Sequence, residues 1–116
     1  MYVEAMVAPV KTAGKAEYTE ISTEMAALFK AHGATGYVEC WGTEVPVGER
    51  TSFPRAVELA ADETCAVCFI TFPDKATRDS CMDAVMASER ANELMQELPM
   101  DGKRMIFGEF EAIVTA

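Results

Sequence analysis

Apolar and polar positions follow two rhythms along the chain. Tyr2 to Pro9 is a short apolar run with β-branched residues, which predicts a first strand ended by Pro9. Tyr18, Ile21, Met25, Leu28 and His32 then recur at helical spacing, on one stripe of a helix that Thr12 is placed to cap and that ends near His32. Gly33 follows where a left-handed residue closes a helix. Tyr37–Thr43 and Cys65–Phe72 predict two more strands. Their connection, Glu44–Thr64, is long for a hairpin and carries two prolines and a small apolar group, Phe53, Ala56, Val57 and Leu59. Connections of that length cover something or work, so SFPRAVEL is expected as a short turn or helix folded back over the body. Pro73 breaks the third strand and Asp74 caps a second helix with Cys81, Met82, Val85 and Met86 inward. Ser88 starts a further helical piece with Ala91, Leu94, Met95 and Leu98 inward, until Pro99 stops it. Asp101 and Gly102 turn the chain into a last strand, Met105–Val114.

Strand, helix, strand, strand, two-piece helix, strand is the order of an α+β ferredoxin-like βαββαβ fold: a four-stranded antiparallel sheet with helices on one face, one domain over residues 1–116. Alternate residues divide the sheet into two sides. One carries Val3, Ala5, Val7, Val38, Cys40, Ile106, Gly108 and Phe110, small or branched side chains that suit helix packing. The other carries Tyr2, Glu4, Met6, Tyr37, Glu39, Trp41, Met105, Phe107, Glu109 and Glu111. Left open, that aromatic and methionine-bearing side would be a large apolar patch, so it is expected to face a second copy of the chain, with any ligand near what the pair encloses.

Composition narrows the partners. A net charge of −9, from 19 acidic and 10 basic residues, repels phosphate backbones and anionic bilayers, which argues against nucleic acid and membrane. The opening MYVEAMVAPVK lacks a basic region and a long apolar run, so the expected location is the cytoplasm. Half of the residues are hydrophobic, enough for a core without disulfides, and the four cysteines are expected as thiols. Cys65 and Cys68 spell C-x-x-C inside a strand, where residues three apart point to opposite faces and cannot share a metal or a disulfide.

Candidate chemistry gathers on the second and last strands. Glu39 and Trp41 stand two apart on one strand face, so a carboxylate lies beside a flat aromatic surface; in an apolar pocket such a carboxyl group is tuned toward neutrality and serves as a proton shuttle. Arg104, after the Asp101–Lys103 turn, and Arg55, in the long connection, are candidates to hold a ligand oxygen. Structural roles compete: Glu39 as an ion-pair partner, Trp41 as an interface anchor, Arg78 and Asp79 as surface or intersubunit ion pairs, and His32 as a capping residue. Glu4, Glu39, Glu109 and Glu111 have oxygens suited to magnesium or calcium, but their spacing forms no cation loop, and no metal or cofactor is assigned.

VECWG at Val38–Gly42, VPVGERTSFPRAV ending at Val57, PDKATRD at Pro73–Asp79 and PMDGKRMIFGEFEAI at Pro99–Ile113 resemble, in order and spacing, the YbaA-like family, a bacterial group of unknown function in the dimeric α+β barrel superfamily. That resemblance implies the fold and a homodimer. It does not imply an activity, because the superfamily spans cofactor-independent quinol monooxygenases, muconolactone isomerases, haem peroxidases and ligand-sensing domains. A single histidine at a helix end is a poor haem ligand. The expectation is a binder of, or cofactor-independent enzyme on, a small aromatic or acidic organic compound, working through Glu39, Trp41, Arg55 and Arg104; the alternative is a non-enzymatic dimeric interaction module.

Overall fold

The structure, a computed structural model, describes residues 1–116. Strands β1 (Tyr2–Lys11), β2 (Gly36–Trp41), β3 (Glu63–Phe72) and β4 (Ile106–Glu111) form one antiparallel sheet in the order β2-β3-β1-β4. Helix α1 (Lys15–Ala31) joins β1 to β2, a short α2 (Phe53–Ala56) lies in the long connection, and α3 (Lys75–Met86) and α4 (Glu89–Glu97) join β3 to β4. The expected ferredoxin-like α+β architecture is the one observed. No helix is long and apolar enough to cross a membrane.

Local chemistry explains the element ends. Ser52, Asp74 and Ser88 accept hydrogen bonds from the backbone N–H of Arg55, Thr77 and Ala91, satisfying donors that the first turns of α2, α3 and α4 leave free. Gly33 has φ +115°, and a Cβ there would meet the Thr77 methyl of α3 at 2.9 Å, so both conformation and space require glycine. Two expected boundaries shift. Thr12 is not a cap: its hydroxyl bonds to that of Thr64 at 2.7 Å, and a 3₁₀ turn over Thr12–Gly14 leads into α1. Pro9 does not end β1, which stays paired with β3 to Lys11; the ladder to β4 stops at Val7 and only a Val10–Met100 bridge follows, where the Pro9 carbonyl accepts from the Asp101 N–H. β4 stops at Glu111, and Ile113 and Val114 beyond it are exposed.

The two sides of the sheet are divided among residues as expected but turned the other way. Ile70, Phe72 and Cys68 of β3 pack with Ile21, Met25 and Phe29 of α1, Cys81 and Val85 of α3 and Leu94 of α4. The register β2–β3–β1–β4 then places Glu39, Cys68, Met6 and Phe107 in one cross-strand row on this helix-facing side, and Tyr37, Ile70, Glu4 and Glu109 in the next. Thus the side with tyrosines, methionines and glutamates is the covered one. The branched side that was expected to receive helices is open, with Val38 53%, Phe69 43% and Phe110 57% exposed. The physical reason is that the helices bring complements for polar groups, Arg78 for Glu4 and Tyr18 for Glu39. Bulk and charge on a strand therefore did not disqualify that side from helix packing. Only one end of the open side is covered, by Val57 of the long connection, which is fully buried against Val7 and Cys65.

Candidate functional site

Between the sheet and the three long helices lies a cavity of about 360 Å³, within the range of small-molecule pockets. Of its 20 lining residues 16 are hydrophobic, and the four that are not are Glu4, Ser22, Glu39 and Arg78. Phe107 lines it from β4 yet is 69% exposed, so the cavity opens toward that edge. It lies within one chain, whereas the sequence placed any ligand near what a pair of chains encloses.

Glu39 stands in the middle of β2 because strand alternation aims it at α1. The Tyr18 hydroxyl donates to its Oε1 at 3.1 Å, while Oε2 is buried and has no hydrogen-bond partner. Burial raises the Glu39 pKa above the ordinary carboxylate value, with Tyr18, Cys68 and Ser22 pulling the other way. The same desolvation, reinforced by the Glu39 charge, raises Tyr18, Tyr37 and Cys68, so these groups remain protonated donors around it. Glu39 also has a second outlook. A more open cleft of about 290 Å³ between α1 and β2 shares Tyr18, Ser22, Tyr37 and Glu39 with the cavity and adds Lys15, Thr19, Thr23 and Trp41. There the Lys15 ammonium lies 5.6 Å from the Trp41 ring centroid, and Tyr18 packs against the same ring at 6.3 Å.

At the other end of the cavity, Arg78 donates to both oxygens of Glu4 at 3.3 Å, to Asp79 at 3.0 Å, and lies 3.4 Å from Glu109. Lys75 joins Asp79 and Glu109 outside it.

The structure separates the four residues assigned from the sequence. Glu39 lines the cavity and the cleft, and Trp41 lines the cleft. Arg55 is exposed in the long connection, donating to the carbonyls of Val47 and Gly48, and Arg104 is bound to Glu63, Asp101 and the carbonyls of Val57 and Glu58; neither lines the cavity. Arg78 is the guanidinium that does. Its signal was in the chain, three and four residues before Cys81 and Met82 on the inward stripe of α3. The four glutamates do not converge: Glu4 is paired with Arg78, Glu109 with Lys75, Glu39 with Tyr18, and no three His, Cys, Asp or Glu side chains gather as metal ligands anywhere. Cys65 and Cys68 are free thiols in separate apolar clusters on opposite sides of the sheet.

Fold and site together define an α+β ferredoxin-like protein with an internal apolar cavity that holds one under-bonded carboxyl group. The chain belongs to the family described as protein of unknown function (DUF1428), whose model matches residues 1–102. The uncharacterized protein YbaA of Escherichia coli strain K12 is 39% identical to it over 113 residues, 97% of each chain. Among solved structures, a dimeric ferredoxin-like protein from an uncultured marine organism aligns with TM-score 0.65 at 6% identity, covering 100% of this chain and 98% of that one. A variant of SnoaB, a cofactor-independent oxygenase from Streptomyces nogalater, aligns with TM-score 0.61 at 15% identity, covering 98% and 95%. At those identities the likeness is one of fold.

Proposed function

We propose that the protein binds a small organic molecule in the cavity between sheet and helices and that Glu39 exchanges a proton with it. The observation that carries this reading is the buried, unpartnered Glu39 Oε2 on the cavity wall. A buried acceptor without a partner costs about 1–3 kcal/mol, and a ligand that bonds to it recovers that cost. The raised pKa brings the carboxyl group toward the range where it can both take and return a proton. The cleft on its other side, lined by Lys15, Thr19 and Thr23, offers a route by which that proton reaches solvent without opening the cavity, and Trp41 forms the floor of that route. That a neighbour in fold, SnoaB, is described as cofactor-independent is compatible with chemistry carried by side chains alone, and shared fold by itself argues no further.

Titration calorimetry in buffers of different ionisation enthalpy, with a ligand first found by thermal shift, tests this. Wild type is expected to bind with a linked proton near neutral pH and the Glu39→Gln variant with none. A ligand of this cavity that binds both forms with no proton change sinks the reading.

A second property has its own observation. The open side of the sheet presents Val38 of β2, Phe69 of β3, and Ile106 and Phe110 of β4, all more than two fifths exposed. We propose that a second copy covers it; a neighbour in fold is described as dimeric. The dimer then forms through the branched side of the sheet and leaves each cavity within its own chain.

A further inference from the structure

We infer that the cavity, read as the binding site proposed above, is a shape-tolerant receptor for uncharged hydroxyl compounds, alcohols or phenols, and rejects carboxylates. The wall composition speaks first. Every methionine of the chain except Met1 lines this one cavity, seven of eight, contributed by β1, α1, α3, α4 and the segment leading into β4. Unbranched thioether side chains have three rotatable bonds and a polarizable sulfur, so a wall built of them refits around bodies of different outline where leucine or isoleucine would hold one shape. Met86 and Met95 are 54% and 38% exposed at the rim, which leaves them room to move as a ligand enters.

The polar groups set the rest. Arg78 is the only cation on the wall, and it is already shared by Glu4, Asp79 and Glu109, with Lys75 the only other cation nearby. Negative charge is in surplus at that end before a ligand arrives, so an incoming carboxylate finds no free partner and loses its hydration. At the other end stands Glu39, whose Oε2 is buried without a hydrogen-bond partner, with Ser22 and Tyr37 on the same wall. A hydroxyl group satisfies that oxygen in either protonation state, donating to the carboxylate or accepting from the carboxylic acid, which a carbonyl or an ammonium group does in only one.

Equilibrium dialysis of the intact protein at neutral pH against three probes with one ring system, naphthol, naphthalene and naphthoate, tests the polar half. Naphthol is expected to bind about ten-fold tighter than naphthalene and at least about ten-fold tighter than naphthoate, each ten-fold step being the usual consequence of one buried polar contact. Naphthoate binding as tightly as naphthol overturns the inference while leaving the cavity as a binding site. Failure of all three to bind overturns the site reading itself. Shape tolerance is tested with naphthol, menthol and decanol, which are flat, globular and linear. Wild type is expected to bind them within about ten-fold of one another, and the Met82→Ile/Met95→Ile/Met105→Ile variant to spread them by more than that, since branched side chains lose the freedom to refit. If the triple variant does not fold, the three single variants carry the comparison. A wild type that already separates the three alcohols by more than about a hundred-fold, or variants with an unchanged spread, overturns the role of the methionines.

Discussion

Glu39 is held against its own electrostatic preference. Its folded pKa lies above the value of a free carboxylate because burial disfavours the charge, so the native state binds protons more tightly than the unfolded chain. Stability from this group is therefore full at pH below the unfolded value, near 4.5, and is lost as pH rises through the folded value. Glu39→Gln keeps the acceptor for the Tyr18 hydroxyl and removes the charge. In urea unfolding at pH 7 the variant is expected to be more stable than wild type by about 1–3 kcal/mol, with the gap closing toward pH 4; a variant less stable than wild type at pH 7 would contradict the account. The position and chemistry of Glu39 were legible in the chain, since strand alternation puts it beside Trp41 on β2. The partners were not: Cys68, 29 positions away, comes through the β2–β3 pairing, and Tyr18, 21 positions away, through the packing of α1 on the sheet.

At the scale of elements, the long connection is held down by one guanidinium. Arg104 donates to both oxygens of Glu63, at 2.8 and 2.6 Å, and to the carbonyl of Glu58, which adopts φ +49°. Glu63 also accepts from the Ala60 N–H. Arg104 first, then that N–H, hold the Glu63 pKa down to about 2, so its contribution to stability is present above the unfolded value of 4.5 and lost as pH falls toward 2. Arg104→Met strands a buried carboxylate and is expected to cost about 3–5 kcal/mol at pH 7, with a flatter loss of stability on acidification than wild type, measured by denaturant unfolding at several pH values. A cost below about 1 kcal/mol would show that the connection does not depend on this pair. Sequence reading marked the same arginine as a ligand holder, because its one nearby partner, Asp101, takes only Nε and the rest of the guanidinium bonds to distant groups. Its distant partner, Glu63, comes from the start of β3, 41 positions earlier, as the Arg78–Glu4 pair comes from α3 and β1, 74 positions apart. Between helices, Glu24 of α1 and Arg90 of α4 form a like pair on the surface. Caps behave differently: Asp74 and Ser88 each act within three residues, so they were readable in advance, and Ser52 acts over the same short range.

At the scale of the whole molecule, the open side of the sheet sets the prediction. Phe110→Asp places a charge on the proposed interface without touching the cavity, whose lining does not include it. Sedimentation equilibrium is expected to give wild type at twice the 12.6 kDa chain mass and to weaken self-association at least about a hundred-fold in the variant. Wild type sedimenting as a single chain at micromolar concentration would leave the apolar side without the partner proposed for it.

The sequence by itself determined the elements and their order, the starts of α3 and α4, the separation of the two cysteines across a strand, and which residues share a side of the sheet. Each of these depends on periodicity or on contacts within a few positions. Tertiary structure alone decided which of the two sides the helices cover, because both are rich enough in apolar atoms to be buried, and the choice turns on Arg78 and Tyr18 meeting Glu4 and Glu39 from distant elements. From that one choice follow the cavity, its methionine wall and its buried, unpartnered carboxylate oxygen.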